Sequence, residues 1–161
     1  MDLIVDQWRA QRPDLDPAAK QLTGRVIRLG ALFQGAYSEA FAPLRLSEGD
    51  YGVLVALRRA GAPHRLTPTD LARQQMMTSG GMTAAIDRLE RKGFVTRLPN
   101  PNDRRGSLVE LTDEGRHVVD QAMERHAEAE RRLVRGLNAT ERKTLEQLLR
   151  KWLRSVDESE A

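Results

Sequence analysis

Two short stretches in the middle of the chain have residue types that suit contact with DNA. The first, residues 78–92, reads as a helix of about 14 residues, which fits a major groove roughly 12 Å wide and points its first turns at base edges. The residues expected to face outward are Ser79, Gly80, Gly81, Thr83, Ala84, Asp87, Arg88 and Arg91. Two adjacent glycines cost a helix about 1 kcal/mol each relative to alanine. Close approach of the backbone to DNA would explain them, and a loosened helix start is the alternative.

The second stretch, residues 99–106, is dense in turn formers and contains Asp103, Arg104 and Arg105. It lies between two short segments rich in β-branched and apolar residues, 94–98 and 108–111, so it predicts a β-hairpin with a long, exposed tip. An arginine in that tip could enter a minor groove, because the groove's negative potential attracts it. The alternative is that these arginines are simply solvated.

The elements around these stretches have recognisable ends. A short helix is expected over residues 2–12, and Asp16 with Pro17 is expected to begin a long helix after it. Gly93 is placed to end the helix of residues 78–92 in a left-handed cap. Further helix starts are predicted at Ser47, Thr67, Thr78 or Ser79, Thr112 and Asn138. The order short helix, turn, helix, β-hairpin predicts a winged helix-turn-helix, mainly α with a small hairpin.

The first long helix and the last helix carry apolar stripes beyond what a small core needs. We expect them to form a dimer interface, and packing of the last helix on its own domain is the alternative. The residues expected in this interface are Leu22, Val26 and Leu29 in the first helix and Leu145, Leu148, Leu149, Trp152, Leu153 and Val156 in the last. The expected organisation is a single domain over 1–161, with dimerisation helices in 1–46 and 113–161 and a DNA-binding region in 47–112.

Composition narrows the function classes. The net charge of +3, with all but four of the 26 basic residues arginine, permits nucleic acid as a partner. The absence of cysteine excludes disulfides and thiolate zinc sites, and three histidines leave little for a metal. No stretch approaches 18 apolar residues, so we expect no membrane contact and a cytoplasmic location.

These residues together resemble the MarR family of transcriptional regulators. The matching stretches are P-T-D-L-A at 68–72, T-S-G-G-M-T at 78–83, I-D-R-L-E-R-K-G at 86–93 and D-R-R-G at 103–106 followed by L-T at 111–112. The resemblance implies a homodimer that binds a pseudo-palindromic operator in double-stranded DNA, with one recognition helix per half-site. It also implies that the wing contacts the minor groove. The implied DNA-binding residues are Thr67, Thr69, Thr78, Ser79, Gly80, Gly81, Thr83, Arg88, Asp103, Arg104 and Arg105.

The N-terminal residues look like those of the urate-responsive MarR subgroup, which has an extra N-terminal helix. That subgroup places a tryptophan, an aspartate and two arginines around its ligand. Trp8 matches the tryptophan and Arg97 one arginine, whereas Gly52 and Ala85 stand at the other two positions. We therefore expect Trp8 and Arg97 to bind a small aromatic anion, such as urate or a phenolic acid, or no ligand at all. The alternatives are a hydrophobic staple for Trp8, and a phosphate contact or solvation for Arg97.

The sequence thus predicts a homodimeric, sequence-specific DNA-binding regulator, a repressor released from its operator by a small aromatic anion. A helical interaction module without DNA binding, and a MarR-like regulator without a ligand, are the alternatives. No enzyme, cofactor or metal is expected, because His117 and His126 do not have the spacing of two ligands on one helix face. Asp87 and Glu90 alternate with Arg88 and Arg91, which indicates a salt-bridged helix face rather than an acid–base pair.

Overall fold

The computed structural model describes residues 2–12, 14–15, 18–101 and 103–160. Asp16 and Pro17, the predicted start of the long helix, lie outside the described residues. The elements are α1 Asp2–Gln11, α2 Ala18–Phe41, a short 3₁₀ helix Ala42–Leu44, α3 Glu48–Arg59, β1 Arg65–Leu66, α4 Pro68–Gln74, α5 Ser79–Arg91, β2 Val95–Asn100, β3 Asp103–Leu111, α6 Asp113–Leu133 and α7 Ala139–Glu160. The predicted mainly helical fold with a winged helix-turn-helix is confirmed.

The chain forms two compact units, Met1–His126 and Ala127–Ala161. The core of the first unit is made by apolar side chains from the helices and the small sheet. They include Phe41, Leu54, Leu57, Leu71, Met82, Ile86, Leu89, Val95, Val109, Leu111 and Val119. The second unit contains the end of α6, the turn after it, and α7. None of the helices described here is long and apolar enough to cross a bilayer.

Side-chain caps begin the helices at the positions that the sequence predicts. The Ser47 hydroxyl accepts a hydrogen bond from the Asp50 amide, and the Asp50 carboxylate accepts one from the Ser47 amide. Four other capping side chains likewise accept a hydrogen bond from the backbone amide three residues later. They are Thr67, Thr78, Thr112 and Asn138. Each cap satisfies an amide that has no partner within its helix. The helix starts are therefore local properties of the sequence.

The sheet has three antiparallel strands in the order β1-β3-β2. The expectation of a long, exposed hairpin tip is wrong, because β2 continues to Asn100 and β3 already begins at Asp103. Pro99 lies within β2 opposite Ser107, and the register becomes irregular directly after it. A proline is tolerated there because β2 is an edge strand, which can lack a ladder donor. The D-R-R-G residues consequently lie in a strand rather than in a loop.

Strand β1 is not predicted by the sequence. It consists of two residues, Arg65 paired with Glu110 and Leu66 paired with Val109. Two residues are too few to show the alternation that identifies a strand. An ion pair between the Arg65 and Glu110 side chains strengthens the pairing. This strand places the segment before α4 on the sheet that carries the wing.

Candidate nucleic-acid interface

Helix α5 has one face in the core and one face in solvent. Met82, Ala85, Ile86 and Leu89 are buried, which fixes the rotation of the helix about its axis. As a result Ser79, Gly80, Thr83, Ala84 and Arg91 are exposed, as their spacing predicts. The exposed residues of the first two turns are all small. The start of α5 can therefore approach another surface with its backbone.

The two glycines of α5 have different surroundings. A Cβ atom at Gly80 would have no heavy atom within 4 Å, so a larger residue would fit in the free protein. A Cβ atom at Gly81 would lie 3.2 Å from Oγ1 of Thr78, the atom that accepts the hydrogen bond of the Gly81 amide. Gly81 is thus explained by the tight cap, whereas nothing in the described part of the chain requires a glycine at position 80. Close approach of an external partner and a loosened helix start both remain as explanations for Gly80.

Arg88 is expected to face outward, but its guanidinium turns towards α3. Its Nε and Nη2 atoms donate to Oδ1 of Asp50 at 3.2 and 3.0 Å. The side chain of Asp50 is only 3% exposed, and a buried carboxylate requires a cation and several donors. Arg88 therefore connects the two helices, although 42% of its side chain stays exposed.

Lys92 completes the environment of Asp50. Its Nζ atom donates to Oδ2 of Asp50 at 3.0 Å and to the backbone carbonyl of Arg45 at 2.8 Å. Burial alone raises the pKa of Asp50, but the hydrogen bonds from Lys92, the Ser47 amide and Arg88 outweigh it and leave the pKa below its ordinary value. The sequence identifies Asp50 only as a capping residue. The signal for its second role was the pair of cations at positions 88 and 92, four apart on one helix.

Arg97 on β2 is paired with two carboxylates of α5. Its guanidinium donates to Asp87 and to Glu90, and its backbone amide donates to Oε1 of Glu90 at 3.1 Å. The hydrogen bond with Asp87 is the main reason why the pKa of Arg97 lies above its ordinary value. Asp87 and Glu90 are therefore salt-bridged, as their alternation with Arg88 and Arg91 indicates, but their partner is Arg97 of β2. Arg97 fixes the wing to the recognition helix.

The predicted ligand residues lie on separate elements with separate partners. The Trp8 ring is 46% exposed, and the Lys20 ammonium of α2 lies 5.8 Å from its centre. Val5 is a buried residue of α1, whereas Trp8 is half-exposed, and the hydrophobic staple stays a prediction for Trp8. Arg97 is expected to be solvated or to contact a phosphate if it binds no ligand. In the structure its guanidinium is instead paired with Asp87 and Glu90.

The two positions that depart from the urate pattern are both occupied by packing. Ala85 is completely buried, so an arginine side chain there would have to leave the core. A Cβ atom at Gly52 would lie 2.3 Å from Oε1 of Gln75, which follows α4 directly. An aspartate at position 52 would therefore displace the Gln75 side chain from α3. Core packing thus disfavours an arginine at position 85, whereas an aspartate at position 52 requires only that the end of the Gln75 side chain moves.

The start of α4 is held mainly by its own side chains. The Thr67 hydroxyl accepts from the Asp70 amide and donates to the Asp70 carboxylate at 2.7 Å, so its one donor hydrogen is already used. Thr69 is exposed in the first turn. Of the two threonines predicted to contact DNA here, Thr69 has the accessible hydroxyl.

Asp103 and Gly106 lie close together at the start of β3. A Cβ atom at position 106 would lie 2.7 Å from Oδ2 of Asp103, so the carboxylate packs over the glycine. This contact explains why aspartate and glycine stand three residues apart in the D-R-R-G stretch. The backbone of Arg104 and Arg105 lies in β3, and their side chains are outside what the structure describes.

The residues predicted to form a dimer interface are exposed in the single chain. They are Leu22, Val26 and Leu29 on α2, and Leu145, Leu148, Leu149, Trp152, Leu153 and Val156 on α7. Within the second unit, an apolar groove runs between the turn after α6 and α7 and is lined by Val134, Leu137, Leu145, Leu149 and Leu153. Exposed apolar surface of this extent marks an interaction site on a soluble protein.

Comparison with known proteins supports this arrangement. A family model described as the MarR family matches residues 46–107. The HTH-type transcriptional regulator PecS of Dickeya dadantii is 35% identical over 146 residues, which span 91% of this chain and 88% of PecS. The crystal structure of a mutant MarR from E. coli complexed with operator DNA is 32% identical, covers 91% of this chain and 97% of that chain, and has a TM-score of 0.72. A structure of Bordetella bronchiseptica BpsR, whose DNA binding is regulated by 6-hydroxynicotinic acid, is 25% identical, covers 82% and 98%, and has a TM-score of 0.70.

Proposed function

Because this chain belongs to the MarR family of DNA-binding transcriptional regulators, we propose that it acts as a homodimeric repressor that a small aromatic anion releases from a pseudo-palindromic operator. The chain is a regulator and not an enzyme. The observation that carries the proposal is the exposed, small-residue start of α5, on a helix whose second half is held by ion pairs to α3 and to the wing. A surface held in this way keeps its shape when it meets DNA.

The proposed DNA contacts follow from exposure. Thr69, Thr78, Ser79, Gly80 and Thr83 present hydroxyls or bare backbone at the starts of α4 and α5. Contacts of this kind to phosphate and sugar fix the register of a recognition helix in the major groove. Thr67 and Gly81 contribute to DNA binding indirectly, because they form the caps at the starts of α4 and α5. Arg88 contributes indirectly by fixing α5 to Asp50 of α3. Asp103 shapes the wing, whose Arg104 and Arg105 supply the cations for an adjacent minor groove.

The dimer proposal is supported by the apolar stripes of α2 and α7. Burying one leucine or valine side chain completely contributes about 1.5–3 kcal/mol, so eight such residues and Trp152, even when each buries only its exposed part, provide ample free energy for association. A dimer also explains two-fold operators, because two recognition helices about 34 Å apart meet successive turns of one face of the duplex. A monomer would present one helix and bind far more weakly.

The ligand proposal is supported by the partners of Arg97. An anion that takes Arg97 removes the cation shared by Asp87 and Glu90, and both of these carboxylates lie on α5. Such a ligand favours a state in which the wing and the recognition helix are no longer joined. If the ligand binds that state more tightly than the joined state by about 1–3 kcal/mol, operator affinity changes 5–150-fold. The Trp8 ring with the Lys20 ammonium beside it is a separate aromatic and cationic pair that could hold a planar anion. The regulation of BpsR by 6-hydroxynicotinic acid makes aromatic acids the ligand class to test first.

The test is fluorescence anisotropy on duplexes taken from the DNA upstream of the gene. Binding is titrated at two salt concentrations, alone and with urate or 6-hydroxynicotinic acid. We expect tight binding whose logarithm falls steeply with the logarithm of salt, since a dimer that neutralises about 6–10 phosphates gives a slope near −0.9 per phosphate. Release by either acid supports the ligand proposal. Binding no tighter than to random duplex contradicts the proposed operator recognition.

A further inference from the structure

The surface that α5 offers to a base edge contains no side chain able to form two hydrogen bonds with one base. Its exposed residues in the first two turns are Ser79, Gly80, Thr83 and Ala84. Arginine, lysine, asparagine and glutamine are the residues that read guanine or adenine with paired hydrogen bonds. The start of α5 has none of these, so it must read base pairs in another way.

The long polar side chains of α5 are engaged elsewhere. Asp87 and Glu90 pair with Arg97, and Arg88 pairs with the buried Asp50. Arg91 is exposed but stands in the last turn, about 18 Å along the helix axis from Ser79 at 1.5 Å per residue. A recognition helix contacts bases mainly with its first turns, which leaves Arg91 to a phosphate.

The hydroxyl of Thr83 is also partly used within the helix. Oγ1 of Thr83 donates its hydrogen to the carbonyl of Ser79 at 2.9 Å. What remains for an external partner is the acceptor lone pairs of Oγ1 and the methyl group. Ala84, the next exposed residue, offers only a methyl group, and Gly80 leaves open space on the same face.

From these observations we propose that the chain reads its operator through thymine methyl groups, which pack against the methyl groups of Thr83 and Ala84 over the open surface left by Gly80. The C5-methyl of thymine is the one apolar group on a base edge in the major groove, and alanine and threonine methyls are the side-chain groups that match it. Gly80 lets the helix approach closely enough for contact. This inference rests on the proposed placement of α5 in the major groove.

The experiment uses the full chain and a duplex that it selects from a random library. Each thymine of the half-site is replaced in turn by deoxyuridine, which removes the methyl group and keeps every hydrogen-bonding group. Deoxyuridine at thymines outside the selected site is the control. Burial of one methyl group contributes about 0.8 kcal/mol, so we expect about fourfold weaker binding for each methyl that is read.

Three variants assign the contact. Thr83→Ser removes the methyl group and keeps the hydroxyl, so it should bind the thymine operator about fourfold more weakly and no longer sense deoxyuridine at one position. Thr83→Val keeps a methyl group at the same place and should retain that sensitivity. Ala84→Gly should lose sensitivity at a second position. Thermal unfolding verifies that each variant is folded.

Unchanged affinity for every deoxyuridine operator, or a selected half-site without thymine, would overturn the methyl proposal and leave operator recognition intact. Equal deoxyuridine sensitivity in the wild type, Thr83→Ser and Ala84→Gly would also overturn it, since other residues would then read the methyl groups. Failure to select any sequence from the library would contradict the proposed operator recognition itself, and the methyl proposal would fall with it.

Discussion

Nζ of Lys92 lies 3.0 Å from Oδ2 of Asp50, although the two residues are 42 positions apart in the sequence. The same carboxylate receives Arg88 through Oδ1 and begins α3 by accepting the Ser47 amide. One buried aspartate thus caps a core helix and holds the far end of the recognition helix. The position of α5 depends on a group that is not expected to touch DNA.

Replacing Asp50 with asparagine tests this dependence. We expect the free energy of unfolding to fall by about 2–3 kcal/mol at neutral pH, because Arg88 and Lys92 lose their charged acceptor. Operator affinity should fall as well, because α5 is no longer fixed on α3. Chemical denaturation and anisotropy measure the two effects. Asp120→Asn is the control, because it breaks the more exposed pair with Arg58 and should cost about 1 kcal/mol or less. Equal losses in both variants would contradict the role of Asp50.

The pH dependence of stability gives a second test of Asp50. Its pKa is below the ordinary value, so its contribution is fully present above the unfolded aspartate pKa of about 3.9 and is lost as the pH falls through the folded pKa. The wild type should therefore lose more stability than Asp50→Asn between pH 5 and the acid limit of about pH 2. Thermal melts across this range measure the difference. Parallel curves would show that Asp50 is not linked to folding.

Replacing Arg97 with glutamine separates the wing from α5. We expect operator affinity to fall about threefold to tenfold, with a stability loss of about 0.5–1 kcal/mol for each partly exposed ion pair. Arg150→Gln is the matched control, because it removes an exposed arginine–glutamate pair within α7. Anisotropy and thermal unfolding are measured for both variants. An operator affinity equal to that of the control would show that the wing needs no link to the recognition helix.

Replacing Arg105 with alanine tests the wing contact. We expect operator binding to weaken by about 1–3 kcal/mol, and the salt dependence to lose about one phosphate, while the dimer stays intact. Lys151→Ala removes one positive charge from α7 and serves as the control. The measurement is anisotropy at physiological and raised salt. Unchanged affinity would remove the wing from the mechanism.

Replacing Leu148 with aspartate tests the dimer. The side chain is 60% exposed in the single chain, so the fold of one chain should tolerate the change. A charge buried in an apolar interface is strongly unfavourable, and sedimentation should show a monomer that binds the operator weakly. Gln147→Asp places the same charge in the same turn of α7 and should remain a dimer. A dimer in both variants would place the interface elsewhere.

Helix boundaries could be predicted from the sequence because they depend on neighbours. Ser47, Thr78 and Asn138 each accept an amide three residues away, and Gly93 ends α5 with a φ of +75°. The same periodicity shows which face of α5 is buried, because its apolar residues recur at helical spacing. The exposed face of the recognition helix therefore follows almost entirely from local patterns.

The ion pairs around α5 could not be predicted in this way. Arg88 pairs with a residue 38 positions earlier, and Arg97 with residues 7 and 10 positions earlier across a change from helix to strand. Alternating charges within one helix suggest pairs three or four apart, and here tertiary contacts replace them. The hairpin tip is shorter than the sequence predicts, because Pro99 and Asn100 pair with β3. Turn-forming residues at these positions predict a loop instead.

The double partnership of Arg97 has a genetic consequence. Either Asp87 or Glu90 can be lost and the arginine still has one carboxylate on α5. Each acidic residue can therefore replace the other as the partner of Arg97. Both contacts are lost when the arginine is replaced. A random screen for alleles with weakened operator binding should recover changes at codon 97, and changes at codons 87 and 90 mainly in combination.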